Sequence, residues 1–275
     1  MGAFLVFIIK STCCLAVFYL FYRLLLSRDT FHRFNRMALL GVIVFSIAIP
    51  FVQLAADEPV AVQRTALELE RFLQMGGTPV EEESRFPSWL AALFMIYAGG
   101  CLFFAGRFLY SVCQIVHLIR SGERAVLEDG TRLVVTDLTV PPFSWMKYIV
   151  ISRIDMEESG AEILAHEQAH IRACHSLDMW FAGCCAVLHW FNPAVWLLKQ
   201  ELQNVHEYEA DESVIAHGVD AKHYQLLLIK KAVGAQRFTS MANSFDHSKL
   251  KKRITMMLKQ KSNPWARLKF LYVLP

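Results

Sequence analysis

The sequence predicts a mainly α-helical membrane protein, with transmembrane helices joined to a small α+β domain that carries a short β-sheet. Three observations support this. Of 275 residues, 55% are hydrophobic and only 19% charged, and the mean hydropathy is +0.33, outside the usual range of soluble domains. Apolar runs long enough to cross a hydrocarbon core recur in the first half. Residues 123–153 switch to short alternating segments broken by turn residues. The 20 Phe and 6 Trp exclude a disordered or low-complexity chain, and a net charge of +3 is too small to make nucleic acid the expected partner.

The first apolar segment, residues 4–26, is long enough to cross a core of about 30 Å at 1.5 Å per residue. It carries Lys10 near its start and lacks a small-residue cleavage pattern, so an uncleaved anchor is expected. Further spans are expected at residues 37–54 and 89–119. The third is overlong, and Arg107, Gln114 and His117 mark a second half that leaves the bilayer. Arg23, Arg28, Arg33 and Arg36 against Asp29 place the first loop in the cytoplasm. Residues 55–87, with Arg64, Arg71 and Arg85 against Asp57, Glu58, Glu68, Glu70, Glu81, Glu82 and Glu83, suit the other face, and the third span returns the chain near Arg120 and Arg124. Six cysteines (Cys13, Cys14, Cys101, Cys113, Cys184 and Cys185) lie in apolar stretches and none forms a C-x-x-C pair, so buried, inert thiols are expected. Cys174 could also ligate a metal.

Between 123 and 153, Glu128-Asp129-Gly130, Arg132-Leu-Val-Val-Thr136 and Tyr148-Ile-Val-Ile-Ser152 read as two or three short strands with turns. Pro141-Pro142 marks a break or an edge, because proline cannot donate to a ladder. An edge strand beside a catalytic helix could pair with an extended peptide, or the sheet could merely cap that helix.

Chemistry concentrates in Glu162-Ile-Leu-Ala-His166-Glu167-Gln-Ala-His170. On a helix His166 and His170 stand one above the other and can share a Zn2+ ion, with Glu167 beside them to activate water. This is the H-E-x-x-H pattern of zincins; the alternative is two surface histidines on an ordinary amphipathic helix. In His206-Glu207-Tyr-Glu-Ala-Asp211, Glu207 and Asp211 share a face. Glu207 can then be a third ligand while Asp211 hydrogen-bonds a ligating histidine. Glu209 points away and is expected to be solvated. The apolar segment 177–198 lies between these motifs. A single crossing would separate His170 from Glu207 by about 30 Å, whereas ligands of one zinc lie about 2 Å from it. The segment is therefore expected to dip and return, breaking at Asn192-Pro193, with His189 packed in the core.

These features together resemble the BlaR/MecR-type family of integral membrane zinc peptidases: three N-terminal spans, a strand section, H-E-x-x-H, the His189-Trp-Phe-Asn-Pro-Ala-Val-Trp196 hairpin and the E-x-x-x-D. Tyr19-Leu-Phe-Tyr22, Arg28-Asp-Thr-Phe31, Asn35-Arg36, Asn243-Ser-Phe245 and Lys251-Lys-Arg-Ile-Thr-Met-Met257 resemble its Bacteroidetes-like branch. The resemblance implies a zincin-like (gluzincin) domain in which His166, His170 and Glu207 hold zinc, Glu167 is the general base and Asp211 orients a ligand. It also implies a bacterial plasma-membrane protein with its site facing the cytoplasm, cleaving a protein substrate such as a transcriptional repressor. The chain departs from the antibiotic-sensing members in having no S-x-x-K sensor, so β-lactam sensing does not carry over.

His206, Tyr208 and His175 are candidates to stabilise the oxyanion. Eight lysines or arginines between 249 and 269 suit a basic helix on anionic lipid, against the peptidase domain or in solvent. Residues 268–275 read as the start of a span the chain does not complete, as in a truncated longer ancestor. The expected division is 1–119 membrane anchor, 120–235 peptidase domain with a returning hairpin at 177–198, and 236–275 basic tail. Alternatives are an HtpX-like quality-control protease and a non-catalytic signalling scaffold.

Overall fold

The computed structural model describes residues 2–52, 88–235, 243–263 and 265; the expected acidic loop at 55–87 and incomplete span at 268–275 lie outside them. The three apolar runs are helices α1 (Gly2–Leu25), α2 (His32–Ala48), which a 3-10 turn extends over Ile49–Phe51, and α3 (Ser88–Ser121). All three are long and apolar enough to cross a membrane. The sheet has four strands rather than two or three: β1 (Glu123–Val126), β2 (Arg132–Thr136), β3 (Phe143–Trp145) and β4 (Tyr148–Ser152). Five helices follow: α4 (Arg153–Arg172), α5 (His175–Leu188), α6 (Pro193–Ala216), α7 (Ala221–Ala235) and α8 (Asn243–Leu258).

The strand order is β1-β2-β4-β3, with β2 and β4 parallel and both outer pairs antiparallel. Period-2 alternation lets the central strands serve two cores. Leu133, Ile149 and Ile151 pack with Ile163 of α4, while Val134 and Val150 point the other way onto Ile119 of α3. Pro141-Pro142 immediately precedes β3, an edge strand, where missing N–H donors cost no ladder bond. The fourth strand was obscured in the sequence because β3 is only three residues long.

Residues 177–198 return as a hairpin. α5 ends at Leu188, and Asn192 caps α6 by accepting from the Ala194 N–H at 2.9 Å, with Pro193 in the first turn. The tip is fastened deep in the bundle. Ser11 Oγ lies 2.9 Å from His189 Nε2, Asn192 donates to the Thr12 carbonyl at 3.2 Å, and Trp190 Nε1 donates to the Tyr97 carbonyl at 3.3 Å. Gly100 of α3 admits the Trp190 ring so closely that a Cβ there would lie 2.2 Å from it. Ser11 is fourteen residues from the Leu25 end of α1, roughly 20 Å of helix, so the hairpin penetrates well into a core of about 30 Å before turning back. His189 is 1% exposed, a packed core residue as expected.

α6 is the central helix: α1, α2, α4, α5 and α8 all pack on it. Its Leu198, Leu202 and Val205 meet Leu15, Tyr22, Leu39 and Ile43 of the first two spans in the main core. The buried-thiol expectation fails for most cysteines. All seven are free and only Cys185 is buried; Cys13, Cys113 and Cys184 are exposed on apolar helix faces, the surfaces a bilayer would cover, and Cys14 and Cys101 are intermediate.

Candidate metal centre

The helix bearing Glu162 to His170 is nucleated by Ser152, whose Oγ accepts from the Asp155 N–H at 3.1 Å and donates to the Asp155 carboxylate at 2.9 Å. A non-helical Ser159 kinks it, and the turn after it that carries the motif is packed through Ile163 and Ala169. It ends at Ala173, where Cys174 takes a left-handed conformation (φ 57°) and the chain turns directly into α5. Arg36 of α2 pins that turn by donating to the Ala173 carbonyl at 2.6 Å, satisfying a helix C-terminus that α4 cannot satisfy itself.

His166, His170 and Glu207 converge as the spacing predicts. Among the described residues they form the one cluster able to hold a metal ion, with one ligand atom from each within 4.8 Å of the others. Cys174 is exposed and outside it. The two Nε2 atoms are 3.2 Å apart, and Glu207 oxygens lie 3.5 Å from His166 Nε2 and 3.7 Å from His170 Nε2. Zinc bonded to N and O at about 2.0–2.2 Å in a tetrahedron separates its ligand atoms by roughly 3.3–3.5 Å, so the donor set fits that ion in kind and in spacing.

Two chains of hydrogen bonds fix the imidazole tautomers, and neither was wholly visible in the sequence. Tyr224 Oη lies 2.9 Å from His166 Nδ1 and donates to Asp211 Oδ1 at 2.8 Å. With its proton committed to a carboxylate, the hydroxyl accepts from His166 Nδ1–H, which leaves Nε2 free to ligate. Asp211 therefore acts mainly through Tyr224; its own carboxylate stands 3.5 Å from His166 Nδ1, which corrects the expectation of a direct hydrogen bond. On the other side His170 Nδ1 lies 2.8 Å from His175 Nδ1, and His175 Nε2 lies 3.3 Å from Glu209 Oε2. The carboxylate can only accept, so His175 donates from Nε2 and receives at Nδ1 from His170. His170 Nε2 is thereby free too.

Glu209, expected in solvent, is buried at 9% exposure. The face of α6 opposite Glu207 meets α2 instead of water, and Arg33 and Arg36 approach Glu209 at 3.4 and 3.7 Å. Burial alone would raise its pKa, but His175 and the two guanidiniums hold it below the usual carboxylate range. Glu207 is likewise held low against its burial, by His166 and Arg253. Burial and the neighbouring His166 drive His170 down to about 2, keeping it neutral. For His166 burial acts downward, but Glu207 and Asp211 outweigh it and the pKa is raised.

Arg253 of α8 closes the site from behind. It donates to Asp211 through Nε at 2.9 Å and Nη2 at 2.6 Å and pairs with Glu207 through Nη1 at 2.9 Å. The basic helix thus packs against α6 and α7, one of the placements expected for it. The sequence marks these two residues faintly at best. Tyr224 shares a helical face with Leu227 and Leu228, whereas nothing in Lys251-Lys252-Arg253 singles out Arg253, which only the structure shows to be less exposed than its two neighbours.

Glu167 is 6% exposed, and burial pushes its carboxyl above the ordinary range although His166 and a hydrogen bond from Ser144 of β3 oppose this. The centre opens onto a cleft of about 880 Å³ walled by Phe108 and Ile115 of α3, Phe143 to Trp145 of β3, and Trp180 of α5. His206 lines it, its Nε2 donating to Asp178 at 2.9 Å. Of the other two oxyanion candidates, His175 also lines the cleft but is engaged by His170 and Glu209, and Tyr208 lines a separate cavity of about 300 Å³ across α6.

Removing the Tyr224 hydroxyl should loosen His166 without removing a ligand. Tyr224→Phe is expected to weaken zinc affinity by about 10- to 100-fold, measured by competition with a chromogenic chelator.

No curated protein matches the chain. Residues 138–257 match the family model described as the BlaR1 peptidase of family M56. That segment begins just before β3 and ends within α8, so it takes in the whole centre: the edge strand, the H-E-x-x-H helix, the hairpin, Glu207, Tyr224 and Arg253. Over residues 138–257 the chain is thus similar to the BlaR1-type peptidases of family M56.

Proposed function

We propose that the protein is a membrane-bound zinc endopeptidase that cleaves a cytoplasmic or membrane-proximal protein in a signalling process. The observation that carries this is the convergence of His166, His170 and Glu207 beside a buried Glu167, in a cleft with an edge strand for a wall. A zinc ion held by His166, His170 and Glu207 would supply Lewis acidity toward a scissile carbonyl and a bound water near neutral pH. The remaining work falls to the chain. Glu167, held on the same helical turn as His166, takes the proton from the attacking water and returns it to the departing amine. The outer face of β3 offers unpaired backbone groups on which a substrate can lie extended, and Ser144 places that strand against Glu167. Trp180 of the hairpin and Phe108 and Ile115 of α3 wall the cleft with apolar surface.

The charge of the first loop supports a cytoplasmic orientation of the site. Arg28, Arg33 and Arg36 favour the inner face, and Arg33 and Arg36 are the residues that pair with Glu209 and Asp178, so the centre belongs on the same side. A repressor in the cytoplasm would reach it there. The division into a 1–119 anchor, a 120–235 peptidase domain and a 236–275 tail suits this reading, with α8 of the tail supplying Arg253.

Metal analysis of the purified protein tests the reading. The wild type should carry one zinc per chain and His170→Ala should lose it together with cleavage of a protein substrate. A wild type that takes up no zinc from buffer containing it would sink the peptidase reading in favour of a non-catalytic scaffold.

A further inference from the structure

Along α6, Lys199, Gln203 and Glu207 recur at i, i+4 and i+8 and all line the cleft, so they form one stripe on its floor. Lys199 is half-buried. It lines the same cleft as the apolar side chains of Phe108, Val112, Met179 and Trp180, on the first half of the helix that leaves the hairpin tip. The other cations of the cleft are accounted for. Lys231 pairs with Asp155 at 3.0 Å, Arg253 is held by Asp211 and Glu207, and Lys249 is exposed to water. Lys199 alone is a partly desolvated ammonium without a hydrogen-bond or ion-pair partner among the described residues. An ammonium kept in apolar surroundings is costly unless something negative meets it, and an ionisable residue at this depth that faces an internal cleft is characteristic of a functional contact.

We propose that Lys199 is a specificity-determining residue that reads an acidic side chain of the peptide substrate. The spacing gives the position. Eight residues of helix separate Lys199 from Glu207 by roughly 12 Å at 1.5 Å per residue, and an extended peptide covers that distance in about three to four residues at 3.3 Å each. The preferred substrate therefore carries Asp or Glu three to four residues from the scissile bond, on the side that runs toward the hairpin. Apolar residues between that acid and the bond suit Phe108, Val112 and Trp180. The proposal rests on the peptidase reading for the word substrate, but the charge preference is testable by binding alone.

The experiment uses the full chain in detergent with the Glu167→Gln substitution, so that peptides bind without turnover. Fluorescent decapeptides in which one Glu is moved through every position report binding by anisotropy. Binding should favour Glu at one position by on the order of tenfold over Gln, the range of a hydrogen bond between charged groups. Adding Lys199→Ala should flatten that preference, Lys199→Arg should keep it, and Lys199→Glu should turn it toward a Lys-bearing peptide. A preference that survives Lys199→Glu, or no position preference at all, overturns the proposal. So does a Lys199 effect seen only as altered affinity for phosphatidylglycerol vesicles, which would assign the ammonium to a lipid phosphate. Cleavage by the otherwise wild-type chain is scored separately. Absent cleavage with an intact, Lys199-dependent preference would defeat the peptidase reading and leave this one standing.

Discussion

Glu167→Gln should bind zinc at the wild-type stoichiometry and cleave substrate at about one-hundredth to one ten-thousandth of the wild-type rate, the range general-base catalysis contributes. The substitution is isosteric, so the packing of a 6% exposed side chain is kept. Glu167 is also outside the cluster of ligating atoms, so the metal should stay. Loss of rate with retained zinc is then a loss of proton transfer. The burial that pushes the Glu167 carboxyl upward makes it a better base than a solvated glutamate, which is why its removal should cost more than that of an exposed acid on the same helix such as Glu157. Zinc by atomic absorption and cleavage of a quenched peptide, measured on the same preparation, check both halves. Near wild-type cleavage by Glu167→Gln would refute the mechanism; loss of zinc would show that Glu167 shapes the centre rather than serving as its base.

The residues that create this centre differ in how visible they are in sequence. His166, Glu167 and His170 share one helical turn, so their spacing alone brings them together. Glu207 is legible from its i, i+4 pairing with Asp211, and because one metal and a single membrane crossing are incompatible, that reading predicts the hairpin that runs from His175 to Ala216. Tyr224, Arg253, His175 and Arg36 had no comparable signal. They act across helix–helix contacts, Tyr224 on a histidine 58 residues away, and no local period encodes which side chain will face which across a packed interface. Glu209 was misread for a related reason. Assigning one face of α6 to the metal implied solvent on the other, whereas α2 covers that other face at Glu209, and a carboxylate buried there needs partners. The run His206, Glu207, Glu209 and Asp211 is so polar because five different elements, α2, α4, α5, α7 and α8, meet it there. The same arginines that set the orientation through the positive-inside bias, Arg33 and Arg36, supply two of those partners.

The second large effect is expected at Arg253. Its guanidinium makes a two-point contact with Asp211, whose side chain is 1% exposed, and reaches Glu207 with Nη1. Arg253→Gln would leave the Asp211 carboxylate buried with only the Tyr224 hydroxyl as a donor, a situation that typically costs about 3–5 kcal/mol. The loss should appear twice: as a lower melting temperature of the detergent-solubilised protein, and as weaker zinc binding, because the relay through Tyr224 to His166 and the brace on Glu207 both lose their anchor. Arg253→Lys keeps the charge but not the planar fork, which an ammonium cannot reproduce, so it should fall between the two. The double variant Arg253→Gln with Asp211→Asn separates the causes. Neutralising Asp211 removes the unpaired buried charge, so the melting temperature should recover toward the wild type. Zinc affinity should stay low, because Glu207 still lacks its brace and the hydroxyl of Tyr224 no longer faces a carboxylate. A double variant that melts no higher than Arg253→Gln alone would mean that Arg253 acts by packing α8 onto α6 and not by compensating Asp211.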